Sequence, residues 1–326
     1  MKILLSTQAA VRLKPRLTQA LVGHSYQIVI ADDSRPGVDF DCAFISRDVT
    51  GLSSKFELEP VTQHFYDLLL NAPSLQWVHT HSAGSDRPIF STLLNMQRMI
   101  TTSAGANAAI VAQSALAGIL ALARHFPQMA KNQAQRQWRS LMADELPADL
   151  EGQTAVIVGW GAIGQKIAAL LKALGVHCEA MRFNLPMREC AGIKMHPISA
   201  LATVLPRANW LILACPLSAE TKQIIDAAAL SRLPRDAHII NVARGEMIVE
   251  ADLVTALQTG RLGGAYLDVF EYEPLGLDSP LWNSDNVIIT PHSAGHSQGN
   301  AQRVEDLFFT NLSHFMHYQP LLNLVQ

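Results

Sequence analysis

The glycines at positions 159, 161 and 164 constrain the fold of this chain more than any other feature of its sequence. They make a Gly-x-Gly-x-x-Gly pattern between an apolar run of strand length, 154–158, and a helical pattern whose apolar face is Ile163, Ile167, Leu170, Leu171 and Leu174. Gly159 permits the tight turn out of the strand, Gly161 lets the backbone approach a pyrophosphate, and Gly164 lets the helix pack on the sheet. Helix amides near Ala162 and Ile163 then face the phosphates. The pattern predicts a site for a nicotinamide or flavin dinucleotide.

Apolar runs of strand length alternate with helical patterns along most of the chain. In the second part, strands are predicted at 154–158, 177–181, 210–214, 238–242, 264–269 and 286–290. Such strands, joined by crossover helices, predict a Rossmann-type doubly wound parallel sheet. The first hundred residues repeat the alternation on a smaller scale, with strands near 2–6, 26–31, 42–46 and 77–81 and helices near 15–22 and 61–71. They predict a second, smaller α/β domain.

Two further helical patterns flank the predicted Rossmann sheet. An alanine-rich pattern at 108–124 follows the segment 104–107 and is predicted to link the two domains. The pattern at 302–317 has an apolar stripe of Val304, Leu307, Phe308, Leu312 and Phe315. We expect this last helix to pack back on the first domain.

Composition excludes several classes of function. The chain has 326 residues, 49% of them hydrophobic, and a formal net charge of -3 with a pI near 6.4. This charge and the lack of a long basic run argue against a nucleic-acid partner. The start of the chain turns polar too soon for a secretory segment, and no apolar stretch approaches the roughly 20 residues that span a bilayer, so we expect a cytoplasmic protein without a membrane partner. We expect no metal site, and we expect reduced, structural thiols at Cys42, Cys178, Cys190 and Cys215.

Charged residues follow three successive predicted strands, where ligands of an open α/β sheet collect. Arg244 follows the fourth strand, Glu271 and Glu273 follow the fifth, and His292 follows the sixth. Such a set suits reduction of a carbonyl group, because a histidine can deliver a proton to the oxygen as a hydride reaches the carbon. A carboxylate on the other ring nitrogen fixes the tautomer, and an arginine matches a substrate carboxylate. A 2-oxo acid, reduced to a 2-hydroxy acid, is the substrate that this chemistry predicts.

The motifs around these residues resemble those of the D-isomer-specific 2-hydroxyacid dehydrogenase family. They keep the family's order and spacing across residues 104–295. They are Leu150-Glu151-Gly152, the glycine turn 159–164, Cys215-Pro216-Leu217 with Glu220-Thr221, Asn241-Val242-Ala243-Arg244-Gly245, Leu267-Asp268-Val269-Phe270 with Glu273-Pro274-Leu275, and Thr290-Pro291-His292.

The resemblance implies a role for each matched residue. His292 is the acid/base, Glu273 its partner, and Arg244 the ligand of the substrate carboxylate or carbonyl, with His292 also touching substrate and cofactor. The segment 77–86 is similar to the family's substrate loop, in which amides near Ala83 and Gly84 hold the substrate carboxylate. Further cofactor contacts are implied at Cys215, Pro216, Thr221, Val242, Ala243, Asp268 and Ala294. His79 and His81 are either cleft residues or packed and surface histidines, and the sequence favours neither.

The family architecture also implies a discontinuous substrate domain. It consists of residues 1–103 and 293–326, is flavodoxin-like, and has the dinucleotide-binding domain 104–292 inserted into it. Closure of the two domains on a hinge excludes water from the hydride path. In this family the inserted domain carries the dimer contact, so we expect a homodimer.

Arg182 bears on the choice of nicotinamide cofactor. In an NAD-preferring member the second strand ends in an acidic residue that binds the ribose hydroxyls, and Arg182 stands at that place here. A cation there favours the 2'-phosphate of NADP, so we predict roughly a tenfold to hundredfold preference for NADPH over NADH. If Arg182 points to solvent, the enzyme is indifferent between NADP and NAD.

Two alternatives from other classes remain at this point. The run Gly295-His296-Ser297-Gln298-Gly299 matches a hydrolase nucleophile elbow, with Asp306 and His314 after it, but these residues follow too closely to come from separate strand ends. A non-catalytic dinucleotide sensor, similar to the transcription corepressors that resemble the same family, is the second alternative. Within the family, Glu273 argues against a formate dehydrogenase, which pairs the histidine with glutamine. A glyoxylate or hydroxypyruvate reductase fits best, although the sequence leaves the substrate open.

Overall fold

The computed structural model of the chain describes residues 1–54, 57–143, 146–183 and 192–325. The chain divides into two compact units. Unit 1 is Met1–Asn107 together with Ser297–Gln326, and unit 2 is Ala108–His296. Unit 1 is therefore built from two separate stretches of sequence. That residues 1–103 and 293–326 bind the substrate, and that residues 104–292 bind the cofactor, stays a prediction.

The strands are short and mostly apolar. In chain order they are β1 (Lys2–Leu5), β2 (Gln27–Ile30), β3 (Cys42–Ile45), β4 (Trp77–Thr80), β5 (Met99–Thr102), β6 (Thr154–Val158), β7 (His177–Arg182), β8 (Lys194–Pro197), β9 (Trp210–Leu213), β10 (His238–Asn241), β11 (Gly264–Leu267) and β12 (Val287–Ile289).

The helices fill the connections between these strands. They are α1 (Thr7–Ala20), α2 (Arg47–Thr50), α3 (Pro60–Leu70), α4 (Pro88–Asn95), α5 (Ala108–Ala123), α6 (Phe126–Ala134), α7 (Ala162–Lys172), α8 (Leu201–Val204), α9 (Ala227–Arg232), α10 (Glu250–Gln258) and α11 (Asn300–Met316). The helix predicted near 15–22 begins earlier, because the Ser6 hydroxyl accepts a hydrogen bond from the Ala9 amide and caps α1.

Unit 1 contains a five-stranded parallel sheet in the order β2-β1-β3-β4-β5. Its central strands β3 and β4 are buried along their whole length, as strands of a parallel sheet covered on both faces are. The C-terminal helix α11 packs on one face, where Phe308 stacks on Phe44 with ring centroids 4.7 Å apart and on Trp77 at 5.7 Å. The predicted α/β layering is confirmed in this unit.

Unit 2 contains a seven-stranded parallel sheet in the order β12-β11-β10-β9-β6-β7-β8. The strand order reverses between β6 and β9, where the doubly wound fold opens a crevice at the carboxyl ends of the strands. The structure confirms the predicted Rossmann-type sheet and adds one strand, β8, to the six expected. This edge strand, Lys-Met-His-Pro, has no apolar run that predicts it, because one side of an edge strand faces solvent. Strand β5 of unit 1, Met-Ile-Thr-Thr, was also missed: it has only two apolar residues, although Ile100, Thr101 and Thr102 are buried.

Helix α5 runs through the core of unit 2 and is buried along its alanine-rich face. Gly118 of this helix allows a close contact, since a Cβ atom there would lie 2.5 Å from Cγ of Tyr266 on β11. No single helix of the described residues is long and apolar enough to cross a membrane, and α5 and α6 reach that length only as a pair bent by 69°.

Three of the four cysteines lie in the described chain, and all three are buried free thiols. Burial raises the pKa of Cys178 to about 11 and that of Cys215 to about 12, so these thiols stay protonated. Burial also raises the pKa of Cys42. Cys190 lies outside the described residues.

Candidate active site

The glycine turn lies at the carboxyl end of β6, beside the point where the strand order of unit 2 reverses. Gly159 has φ +114°, and a Cβ atom on it would lie 2.6 Å from the carbonyl oxygen of Ala214. A Cβ atom on Gly164 would overlap the Gly159 carbonyl group, so both positions require glycine. Nothing lies within 4 Å of the Cβ position of Gly161. The turn leaves open space in front of the first amides of α7, as a bound pyrophosphate requires.

The end of β7 places Arg182 and Glu179 in different environments. Glu179, inside the strand, accepts hydrogen bonds from Nε and Nη2 of Arg207, both at 2.7 Å, and from Nε2 of His196 at 2.5 Å. The Arg207 hydrogen bond lowers the pKa of Glu179 against the opposing effect of burial. Arg182 is the last residue of β7 and half-buried, and among the described residues its guanidinium has no hydrogen-bond or ion-pair partner. The segment 184–191 lies outside the described residues.

The loop after β9 is shaped by Thr221. Its buried hydroxyl accepts a hydrogen bond from the Ser218 amide at 2.7 Å and donates one to the Pro216 carbonyl at 3.0 Å. Cys215 lies at the start of the loop with its Sγ 4.0 Å from Sδ of Met247. The side chains of Thr221 and Cys215 thus contact protein groups, and their predicted cofactor contacts stay predictions.

The loop after β10 is shaped by Asn241, the last residue of that strand. Its side chain accepts from the Ala243 amide at 3.1 Å and donates to the Arg244 carbonyl at 3.0 Å, which fixes the turn through Val242. Arg244 Nη1 donates to the Ala243 carbonyl at 2.7 Å. A Cβ atom on the next residue, Gly245, would overlap the Phe270 carbonyl group, so the backbones of the β10 and β11 loops pack directly together.

The predicted acid/base pair is in contact. Nδ1 of His292 lies 2.8 Å from Oε2 of Glu273, and the other carboxylate oxygen accepts from the Phe270 amide at 3.1 Å. Burial raises the pKa of Glu273, but the hydrogen bond and charge of His292, the Phe270 amide and the charge of Arg244 together lower it below its ordinary value. The carboxylate therefore stays ionised, and the imidazole side chain is about half exposed, at 52%.

Asp268, at the end of β11, anchors the loop that carries His292. Its Oδ1 accepts from Oγ1 of Thr290 at 2.5 Å and from the amides of Ser293 and Ala294 at 2.8 and 2.9 Å. Its carbonyl accepts from the His292 amide at 2.8 Å. Burial raises the pKa of Asp268, and the three hydrogen bonds partly offset that effect. Asp268 and Ala294, predicted as cofactor contacts, are thus bonded to each other.

The predicted substrate loop, 77–86, belongs to unit 1 and consists of β4 and the residues that follow it. Within it the Ser82 hydroxyl donates to the Gly84 carbonyl at 2.8 Å, and the Ser103 amide donates to the Ser82 carbonyl at 2.8 Å. These bonds give the segment with Ala83 and Gly84 a defined shape. Its predicted binding of a carboxylate stays a prediction.

The two histidines of this segment differ. His79 is 0% exposed, its ring nitrogens lie 2.8 Å from Oγ1 of Thr101 and 3.1 Å from Oγ of Ser103, and burial lowers its pKa to about 3. It is a packed core histidine. His81 Nε2 lies 2.8 Å from Oγ1 of Thr50, and its side chain is half-buried.

The hydrolase alternative finds no support in the geometry. Ser297 accepts a hydrogen bond from Arg303 Nη2 at 2.7 Å, and His314 Nδ1 donates to the Pro320 carbonyl at 2.7 Å. Asp306 accepts from Arg16 Nη2 at 2.7 Å. Each of the three triad candidates is bonded to another group of unit 1.

Three contributors to the site were not singled out from the sequence. Glu250, the first residue of α10, accepts a hydrogen bond from the Glu271 amide at 3.2 Å, next to the loop that carries Glu273. The Tyr266 hydroxyl lies 3.0 Å from Oγ1 of Thr290. A glutamate at a helix start and a tyrosine in a strand are common, so neither residue indicated a functional role in the sequence. Thr290 belongs to the Thr290-Pro291-His292 motif, but the motif indicated no role for its hydroxyl.

Comparison with known proteins identifies the family. The model of the family "D-isomer specific 2-hydroxyacid dehydrogenase, NAD binding domain" matches residues 116–294. The glyoxylate/hydroxypyruvate reductase HPR3 of Arabidopsis thaliana is 30% identical over 267 residues, 82% of this chain and 80% of that protein.

Two solved structures share the whole fold. A D-isomer specific 2-hydroxyacid dehydrogenase family protein from Aeromonas salmonicida has a TM-score of 0.79 and 30% identity, covering 100% of this chain and 98% of the other. An NADPH-dependent glyoxylate/hydroxypyruvate reductase from Sinorhizobium meliloti, in complex with NADP and sulfate, has a TM-score of 0.77 and 25% identity with the same coverage. The present chain belongs to the D-isomer-specific 2-hydroxyacid dehydrogenases, a family of NAD(P)-dependent oxidoreductases.

Proposed function

We propose that this chain reduces a small 2-oxo acid, of the size of glyoxylate or hydroxypyruvate, to the corresponding D-2-hydroxy acid. The observation that carries the proposal is the 2.8 Å contact between His292 and Glu273, at the same edge of the sheet as the glycine turn and Arg244. The reductases from Arabidopsis thaliana and Sinorhizobium meliloti support the substrate class.

His292 is proposed to be the acid. Because Glu273 accepts from Nδ1, that nitrogen carries a proton and Nε2 is left to face the substrate. The ionised carboxylate stabilises the charged ring, which then donates its Nε2 proton to the carbonyl oxygen of the substrate. A bound reduced nicotinamide supplies the hydride that the carbonyl carbon accepts.

Arg244 is proposed to bind the carboxylate or the carbonyl oxygen of the substrate. The positive charge of Arg244 acts on the His292–Glu273 pair, since it contributes to the lowered pKa of Glu273. A guanidinium stabilises the negative charge that develops on the oxygen and offers two parallel hydrogen bonds to a carboxylate. The amides of Ala83 and Gly84 are the proposed second ligand of that carboxylate.

NADP is the proposed cofactor, with NAD as the weaker one. The glycine turn binds the pyrophosphate, and further contacts are proposed from Cys215, Pro216, Thr221, Val242, Ala243, Asp268, His292 and Ala294. Arg182 ends β7 without a partner among the described residues, whereas Glu179 is already bonded to Arg207 and His196. A guanidinium so placed is suited to the 2'-phosphate.

The proposal includes a homodimer in the cytoplasm. The family resemblance supports the dimer, and the buried free thiols of the described chain fit a reducing compartment. Sedimentation equilibrium of the purified protein tests the dimer.

A panel of 2-oxo acids with NADPH and NADH, followed by absorbance of the reduced nicotinamide, tests the function. We expect turnover of glyoxylate or hydroxypyruvate, with the higher kcat/KM for NADPH. A protein that binds either cofactor but turns over no 2-oxo acid contradicts the proposal and favours a dinucleotide sensor.

A further inference from the structure

The backbone at His292 is the starting point. This residue has φ +49°, in the left-handed region that residues other than glycine rarely adopt. Such a conformation persists only where surrounding interactions determine it. At His292 these interactions are the four hydrogen bonds to Asp268, which bind Thr290, His292, Ser293 and Ala294.

A buried tyrosine extends this set of bonds into the core of unit 2. The Thr290 hydroxyl has a single hydrogen, and the 2.5 Å contact assigns it to Oδ1 of Asp268. The Tyr266 hydroxyl, 3.0 Å from Oγ1 of Thr290, must therefore be the donor in their bond. The result is a directed chain from Tyr266 to Thr290 to Asp268, and we call it the Tyr266 relay.

The packing of the tyrosine ring sets the position of its hydroxyl. Tyr266 lies in β11, is only 3% exposed, and pairs in register with Ile288 of β12. Its ring fills the space left by Gly118, whose added Cβ would lie 2.5 to 2.8 Å from three Tyr266 atoms. Burial raises the pKa of Tyr266, an effect that the bond to Thr290 reduces and the charge of Asp268 reinforces, so the hydroxyl stays a donor.

We propose that Tyr266 is a positioning residue for the acid/base of this enzyme, acting through Thr290 and Asp268 to hold the loop that carries His292. The inference depends on the proposed role of His292. It assigns to the Tyr266 hydroxyl an effect on turnover at a site that it does not touch. A small displacement of an acid relative to its substrate lowers kcat and leaves binding nearly unchanged.

Tyr266→Phe removes only the hydroxyl and tests the proposal. We expect kcat to fall about three- to tenfold, with KM for the 2-oxo acid changed by less than about twofold. In the cofactor-free protein, we expect amide hydrogen exchange of Ser293 and Ala294 to become about two- to tenfold faster, because one hydrogen bond of the relay is lost.

Tyr66→Phe is the matched control. Tyr66 is also buried, at 4% exposure, but it lies in the core of unit 1. Removing its hydroxyl is expected to change neither kcat nor the exchange of the two amides. An equal fall of kcat in both variants overturns the inference, because the loss then reflects general destabilisation.

Three further variants keep the test independent of one substitution. Thr290→Val breaks the relay in its middle and is expected to reproduce the effect, whereas Thr290→Ser keeps the hydroxyl and is expected to restore most of kcat. Gly118→Ala adds a methyl group against the ring and is expected to lower kcat similarly, although alanine is the better helix former.

Amide hydrogen exchange distinguishes failure of this inference from failure of the proposed function. If the parent protein reduces no 2-oxo acid, the proposed function fails, and faster exchange in Tyr266→Phe still supports the positioning of the loop. Unchanged exchange of Ser293 and Ala294 in Tyr266→Phe overturns the inference, whatever happens to activity.

Discussion

Units 1 and 2 both cover a parallel sheet with helices, but they place a histidine in opposite surroundings. His79 of unit 1 lies inside β4, is 0% exposed, and contacts hydroxyls of Thr101 and Ser103. His292 of unit 2 lies beyond the end of β12, is about half exposed, and contacts the carboxylate of Glu273. Burial lowers the pKa of His79 to about 3, so it is neutral at pH 7. Histidine is thus a packing residue inside β4 and a candidate acid beyond the end of β12.

The difference follows from the geometry of parallel sheets. A residue inside a central strand is covered by helices on both faces, and a polar side chain there must find its partners within the core. A residue beyond the carboxyl end of a strand meets loops from neighbouring strands and solvent. For His79 and His292, position along the strand therefore separates a packing role from a place open to a ligand.

The largest effect is expected for His292→Ala. Loss of a general acid lowers kcat by about 10²- to 10⁴-fold, while the dissociation constant for NADPH, measured by fluorescence, changes little. His177→Ala removes an exposed histidine of the same unit and is the control, expected to keep full activity. More than a tenth of the original kcat in His292→Ala shows that another group delivers the proton.

The next effect is expected for Glu273→Gln. The variant keeps a hydrogen-bond acceptor for Nδ1 of His292 but loses the charge, so we expect kcat to fall about ten- to hundredfold. Loss of this charge is also expected to shift the pH–rate profile. Profiles of kcat/KM between pH 5 and 10 measure the shift. A profile that stays unchanged contradicts the pairing of carboxylate and acid.

Sequence patterns predicted most of unit 2 because its signals are local. Gly164 is required by a contact with the Gly159 carbonyl in the same turn, and Gly159 has a φ of +114° that favours glycine locally. Arg244, Glu273 and His292 follow apolar strands. Hydrophobic periodicity and the positions of strand ends can be recognised from neighbouring residues, so such features are predictable from the sequence.

What the sequence did not predict depends on distant contacts. The sequence left the role of His79 open, because its partners Thr101 and Ser103 come from β5 and the residue after it. Strand β5 was not predicted from the sequence. The link from Tyr266 to Thr290 joins two strands whose pairing only the fold determines. Neither contact leaves a pattern in the residues around it.

A change of intermediate size is expected for His79→Phe in unit 1. At pH 7.5 the variant removes the ring-nitrogen contacts of Thr101 and Ser103, whose hydroxyls keep Trp77 Nε1 and the Thr80 carbonyl as partners. We expect a loss of about 1 to 3 kcal/mol in the free energy of unfolding. The wild-type advantage must shrink on acidification. The folded pKa of about 3 lies below the unfolded value of about 6.5, so the unfolded state binds the extra proton and stability falls as pH drops below 6.5.

Urea unfolding at pH 7.5, 6.0 and 5.0 measures this difference. The expected slope for one such histidine is about 1.4 kcal/mol per pH unit below pH 6.5. His238 of unit 2, whose pKa is lowered to about 4 mainly by desolvation, contributes equally to both proteins and cancels in the comparison. A difference between variant and parent that does not change with pH is incompatible with a neutral, buried His79.

The smallest effect tests the same rule within one strand, β7. Arg182, at its end, is expected to act on the cofactor, and Glu179, three residues inside, on stability alone. Arg182→Ala removes the proposed charge-assisted contact to the 2'-phosphate, so we expect kcat/KM for NADPH to fall about tenfold while kcat/KM for NADH stays constant. Glu179→Gln weakens the bonds to Arg207 and His196, and we expect a lower urea midpoint with an unchanged ratio of the two kcat/KM values. If Glu179→Gln alters that ratio and Arg182→Ala does not, position along the strand does not separate cofactor contacts from packing in this sheet.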